Sequence, residues 1–121
     1  MTKMITIANN FVGLVILLHV YFLILEMFLW DKPFGLRTFR HEPAFASASK
    51  SLAANQGLYN GFLAVGLVWG LIPGPAGTSI KVFFLSCVVV AGVFGGVTGK
   101  REILLVQAIP GAVSLALVLL S

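Results

Sequence analysis

The sequence predicts an all-α integral membrane protein, an antiparallel four-helix bundle with an interfacial loop between helices 1 and 2, and three observations predict it. Of 121 residues, 59% are hydrophobic and only 10% are charged, with a mean hydropathy of +1.02, whereas a water-soluble domain carries roughly 25% charged residues. The apolar residues fall into four blocks, each close to the ~20 residues with which a helix crosses a ~30 Å hydrocarbon core. The breaks between blocks are short and marked by proline, glycine or charge, which makes successive helices antiparallel neighbours.

The helices are expected at 5–30, 50–72, 78–97 and 102–120, in one transmembrane domain of residues 1–121. The first block is too long for a signal peptide, contains Glu26 and is followed by no small-residue cleavage pattern, so it is expected to stay and to span. Pro33 and Gly35 follow it. The loop DKPFGLRTFRHEPAF interleaves Phe34, Leu36, Phe39 and Phe45 with Arg37 and Arg40, a composition suited to the membrane interface. The second block opens on the polar run LAANQGLYNG and ends at Pro73-Gly-Pro-Ala-Gly77. The third holds Cys87, the only cysteine, which rules out an intrachain disulfide and a zinc cluster. Gly99-Lys-Arg-Glu102 leads to the fourth, where Pro110 removes a backbone donor and frees the Val106 carbonyl. Gly57/Gly61, Gly66/Gly70, Gly92/Gly96 and Gly95/Gly99 have the small-xxx-small spacing of close helix contacts, within one chain or in a homo-oligomer.

The net charge of +4 does not read as a nucleic-acid site, because the basic residues sit between apolar blocks. There they act as topology signals and contacts for anionic lipid head groups. Lys3 and Lys81 fall on one side, and Lys32, Arg37, Arg40, Lys50, Lys100 and Arg101 on the other. That split places loops 1 and 3 in the cytoplasm and both termini outside, in a bacterial inner membrane.

The polar residues in the spans suggest a site. His19 and Glu26 are seven residues apart on one face of helix 1, roughly 10 Å along the axis. Asn55, Gln56, Tyr59 and Asn60 cover an arc of about 140° on helix 2, and Gln107 lies on helix 4 with Ser114 two turns on along the same face. Counted inward from the basic ends, Glu26, Asn55 and Gln107 reach similar depths. The expectation is a pocket in the cytoplasmic half, with LAANQGLYNG as one wall, His19 and Glu26 opposite and Gln107 closing a third side. Glu26 and His19 are the candidate acid and base, acting through a substrate or water between them. Asn55, Gln56, Tyr59, Asn60 and Gln107 are the candidate binding residues for a small amphiphilic molecule. No nucleophile elbow, CxxC pair or HExxH metal site is present, and GVFGGVTG is no phosphate loop, since Lys100 is not followed by Ser or Thr. No metal or cofactor is expected.

Three features together, His19…Tyr21…Leu25-Glu-Met-Phe-Leu-Trp30, Ala53-Ala-Asn-Gln-Gly-Leu-Tyr-Asn-Gly61 and a last helix with Gln107 and Pro110, resemble the small membrane protein family called domain of unknown function 1304. The resemblance covers nearly the whole chain. It implies a four-helix integral membrane protein and brings no established activity, so whether the chain is an enzyme stays open. Two alternatives to a ligand-binding protein follow from the residues. One is a proton-coupled exporter similar to small multidrug resistance transporters, which also place a glutamate in the first of four helices. The six-to-two charge split opposes it, because an antiparallel exporter dimer needs dual insertion. The other is a non-catalytic assembly subunit built on the glycine-rich faces.

Overall fold

The computed structural model of the chain describes residues 2–121. Five α-helices follow one another: α1 Thr2–Met27, α2 Pro33–Phe39, α3 Pro43–Trp69, α4 Pro75–Thr98 and α5 Ile109–Leu120, with a wide helical turn at Leu104–Ala108 leading into α5. There is no strand among the described residues. Two helical stretches, Lys3–Met27 and Pro75–Thr98, are long and apolar enough to cross a membrane. The chain divides into two compact units, Met1–Leu18 with Leu63–Ser121, and His19–Phe62.

The first unit is built on a core of Ala8, Val12 and Val15 from α1, Leu67 from α3, Leu85 and Val88 from α4, and Val118 from α5. Their spacing of three and four residues is the apolar stripe by which helices pack. Helices α3 and α4 run antiparallel here, with Gly66 against Phe84 and Gly70 against Lys81. The turn between them places Gly74 at φ +95°, a conformation that glycine adopts without a steric penalty. Helix α4 and the wide turn before α5 meet backbone to backbone, since a Cβ on Gly92 would come within 2.5 Å of the Ala108 backbone nitrogen. The wide turn before α5 has a local cause. The Pro110 ring has no N–H and crowds the carbonyl of Val106, so the preceding turn opens and the Ile109 N–H donates to the Leu104 carbonyl, five residues back.

In the second unit the end of α1 and the first part of α3 run antiparallel, with Leu23 against Gly61 and Met27 against Gly57. Helix α1 stops at Met27, three residues before the expected end at residue 30. Pro33 holds Lys32 extended, at φ −93° and ψ 163°, and its ring fits the first turn of α2. The expected loop therefore contains a short helix, ended by Arg40 in the left-handed region with its N–H on the Leu36 carbonyl. Trp30 packs on Phe39 and His41 at ring-centre distances of 4.8 and 4.7 Å, and His41 meets Phe45 edge-on at 4.7 Å. Trp30 Nε1 donates to Ser49 Oγ at 3.0 Å, and Lys50 Nζ lies 3.1 Å from Asp31 Oδ2. That ammonium holds the Asp31 carboxyl below the usual carboxylate range. Helix α3 starts seven residues before the expected position 50. The stretch PAFASASKSLAA carries proline only at the first turn and is rich in alanine, so it is helical although it is not apolar enough to read as a span.

Candidate functional site

The site begins with one stripe on α3. Ala46, Ala53, Gly57 and Asn60 are buried, at spacings of seven, four and three residues, and Asn60 is the only hydrogen-bonding side chain among them. Gly57 brings α3 close to α1: a Cβ there would lie 2.6 Å from Met27 Cγ and 3.1 Å from Glu26 Cβ. Gly61 packs likewise, 2.8 Å from Leu23 Cδ1 for the same added atom. At that separation Asn60 Nδ2 reaches across and donates a hydrogen bond to Glu26 Oε1. Asn60 is only 5% exposed and Glu26 is half-buried, so the carboxylate and its amide partner are both largely withdrawn from the surface.

His19 is fully buried on α1 and meets Phe22 edge-on, with ring centres 5.3 Å apart. It lies two turns before Glu26, roughly 10 Å along the helix axis, so a proton passing between the two needs a carrier. The other candidates on α3 point elsewhere. Asn55 and Gln56 are exposed, and Tyr59 is 52% exposed and packs on Phe62 at 5.9 Å between ring centres. The arc of about 140° thus divides, with Asn60 turned inward and Asn55, Gln56 and Tyr59 outward. Gln107 sits half-buried in the wide turn before α5 and belongs to the first unit, as does Ser114, which is buried and donates to the Pro110 carbonyl at 2.8 Å.

A second polar cluster lies in the first unit and was not singled out from the sequence. Lys81 of α4 is only 7% exposed, and its Nζ donates to Asn9 Oδ1 of α1 at 2.8 Å. A signal was available. Lys81 stands six residues into an apolar helix that begins at Pro75, too deep to be explained as a plain boundary charge.

The family of proteins of unknown function DUF1304 matches residues 13–119. An uncharacterised protein, YpaA of Lactococcus lactis subsp. lactis (strain IL1403), is 28% identical over 116 residues, which cover 93% of this chain and 96% of that protein. No solved structure matches. With the match extending over both the His19–Asn60 segment and the wide turn with its proline, the chain belongs to the DUF1304 family.

Proposed function

We propose that this is an integral membrane protein of four spans whose Glu26–Asn60 pair, with His19 on the same helix, binds a small amphiphilic molecule and supports acid/base chemistry on it. The observation that carries this reading is the hydrogen bond between a half-buried carboxylate and a buried amide, on helices held close by Gly57 and Gly61. A carboxylate inside a membrane helix is costly to keep, and such groups are retained as binding groups or proton carriers. Asn55, Gln56 and Tyr59, on the exposed flank of α3, offer further hydrogen bonds to a molecule arriving from that side. The four spans are α1, the last twenty or so residues of α3, α4, and the wide turn with α5.

A second reading has a specific observation behind it. The carboxylate already has a donor in Asn60, as a simple tie between two helices would. One experiment separates the two. Glu26→Gln keeps the shape and much of the hydrogen bonding but carries no exchangeable acid proton. The full chain, purified in mild detergent, is assayed for folded yield and, by mass spectrometry, for the small molecule it retains. If the site binds a ligand, Glu26→Gln folds with unchanged or higher yield and retains about tenfold less of that molecule, the effect of one charged hydrogen bond of ~1.5–3 kcal/mol. If instead the variant fails to fold, or folds and retains as much as the wild type, the pair is a structural tie.

A further inference from the structure

The cluster around Lys81 carries an inference that is independent of Glu26. Lysines near the ends of membrane helices ordinarily extend their ammonium groups outward to water. Lys81 does the reverse. Its stem is held over Gly70, where an added Cβ would lie 2.6 Å from Lys81 Cγ, and its ammonium turns to Asn9. The side chain is 93% withdrawn from the surface, yet the only acceptor it has is a neutral amide, and it forms no ion pair among the described residues. An ammonium has three protons to donate, and Asn9 takes one. Asn9 in turn uses its oxygen on Lys81, and its Nδ2 donors have no protein acceptor among the described residues.

Both groups open on a cavity of about 340 Å³, within the range of roughly 300–1,000 Å³ typical of small-molecule sites. Asn9, Thr78, Lys81 and Ser121 give it polar walls, and Ile5, Leu71 and Ile72 give it an apolar side. No acidic side chain lines it. A buried positive charge with spare donors, facing a cavity with no Asp or Glu side chain in its wall, is complementary to an anion. The apolar side suits an anion that carries a short hydrophobic part.

We propose that this cavity binds an oxyanion group, a phosphate or carboxylate, through the Lys81 ammonium and the Asn9 amide. The same chemistry has two sources, the head group of an anionic lipid and a free anion. The site stands without the Glu26 reading, and the membrane bears only on which source supplies the ligand.

The test uses the full chain reconstituted in phosphatidylcholine bilayers, with and without phosphatidylglycerol. Lipid retained by the released protein is measured by native mass spectrometry. The melting temperature is measured against inorganic phosphate, with chloride at equal ionic strength as the reference. Preferential retention of phosphatidylglycerol identifies a lipid head group, and stabilisation by phosphate identifies a free anion. Either result is expected to fall about tenfold or more in Lys81→Met, which keeps the apolar stem and removes the charge, and to persist in Lys3→Met, an exposed lysine on the same unit. Should Lys81→Met not fold, Asn9→Ala leaves the ammonium in place and is expected to weaken the same binding several-fold. A wild type that treats the two bilayers alike and ignores phosphate overturns the proposal, and so does a folded Lys81→Met that binds as the wild type does.

Discussion

At the scale of single residues, the hydrogen bond from Asn60 to Glu26 sets how this protein responds to change. Removing the donor while keeping the carboxylate leaves a half-buried charge without its partner, the more damaging half of any hydrogen-bond deletion. Asn60→Ala is therefore expected to destabilise the fold by ~1–3 kcal/mol, read as a lower melting temperature in detergent. Asn55→Ala, on the exposed flank of the same helix, should stay within about 0.5 kcal/mol of the wild type. Equal losses in the two variants would show that the inward and outward positions on α3 do not differ in energy. The sequence makes the pair's members visible, because Glu26 and Asn60 stand out in apolar surroundings. It does not reveal which of four clustered polar residues turns inward. That choice follows from the small-residue stripe Ala46, Ala53, Gly57 and Asn60, whose three-four spacing places Asn60 beside the two close-packing glycines. Lys81 was legible as a charge but not as a buried one, because its burial depends on the Asn9 and Gly70 neighbours that only the fold supplies.

At the scale of elements, glycine contacts differ in how far the opposing surface can yield. A Cβ on Gly57 meets first the Cγ of Met27, part of a flexible side chain, whereas one on Gly92 meets the backbone of Ala108. Gly13 meets nothing within 4 Å. Three alanine substitutions therefore form a graded series. Gly13→Ala is expected to stabilise by ~0.5–1 kcal/mol through helix propensity, Gly57→Ala to lose ~1 kcal/mol, and Gly92→Ala to lose ~2–3 kcal/mol by overpacking. Thermal unfolding in one detergent ranks them, and a Gly92→Ala variant as stable as Gly13→Ala would mean that α4 and the wide turn before α5 do not pack this closely. The helices themselves are legible from apolar blocks and proline positions. Their ends are less so, because α3 extends past Lys50 on alanine-rich helix propensity and is secured there by Trp30–Ser49 and Asp31–Lys50, contacts that hydropathy does not register. The wide turn before α5 follows from Pro110, but only its position was readable, not its five-residue hydrogen bonds.

At the scale of the whole molecule, the distribution of charge predicts which way the proposed membrane protein faces. Six of the eight lysines and arginines lie on the stretches before α3 and after α4, or at the start of α3, and two lie elsewhere. In a membrane protein an imbalance of that size on short loops favours the cytoplasmic side for them. The expected topology thus has both termini outside, and measuring it would discriminate between functional classes, since an antiparallel exporter dimer requires each orientation in similar amounts. Cysteine labelling tests it directly. In a Cys87→Ser background, Thr38→Cys on the exposed face of α2 should resist a membrane-impermeant maleimide until the cells are opened. Ala76→Cys, exposed at the start of α4, should react from outside in intact cells. If both positions react in intact cells to comparable extents, the chain inserts in two orientations. Glu26 is then better understood as the proton-exchanging group of an exporter than as part of a one-sided binding site, and the carboxylate's role must be sought in a dimer.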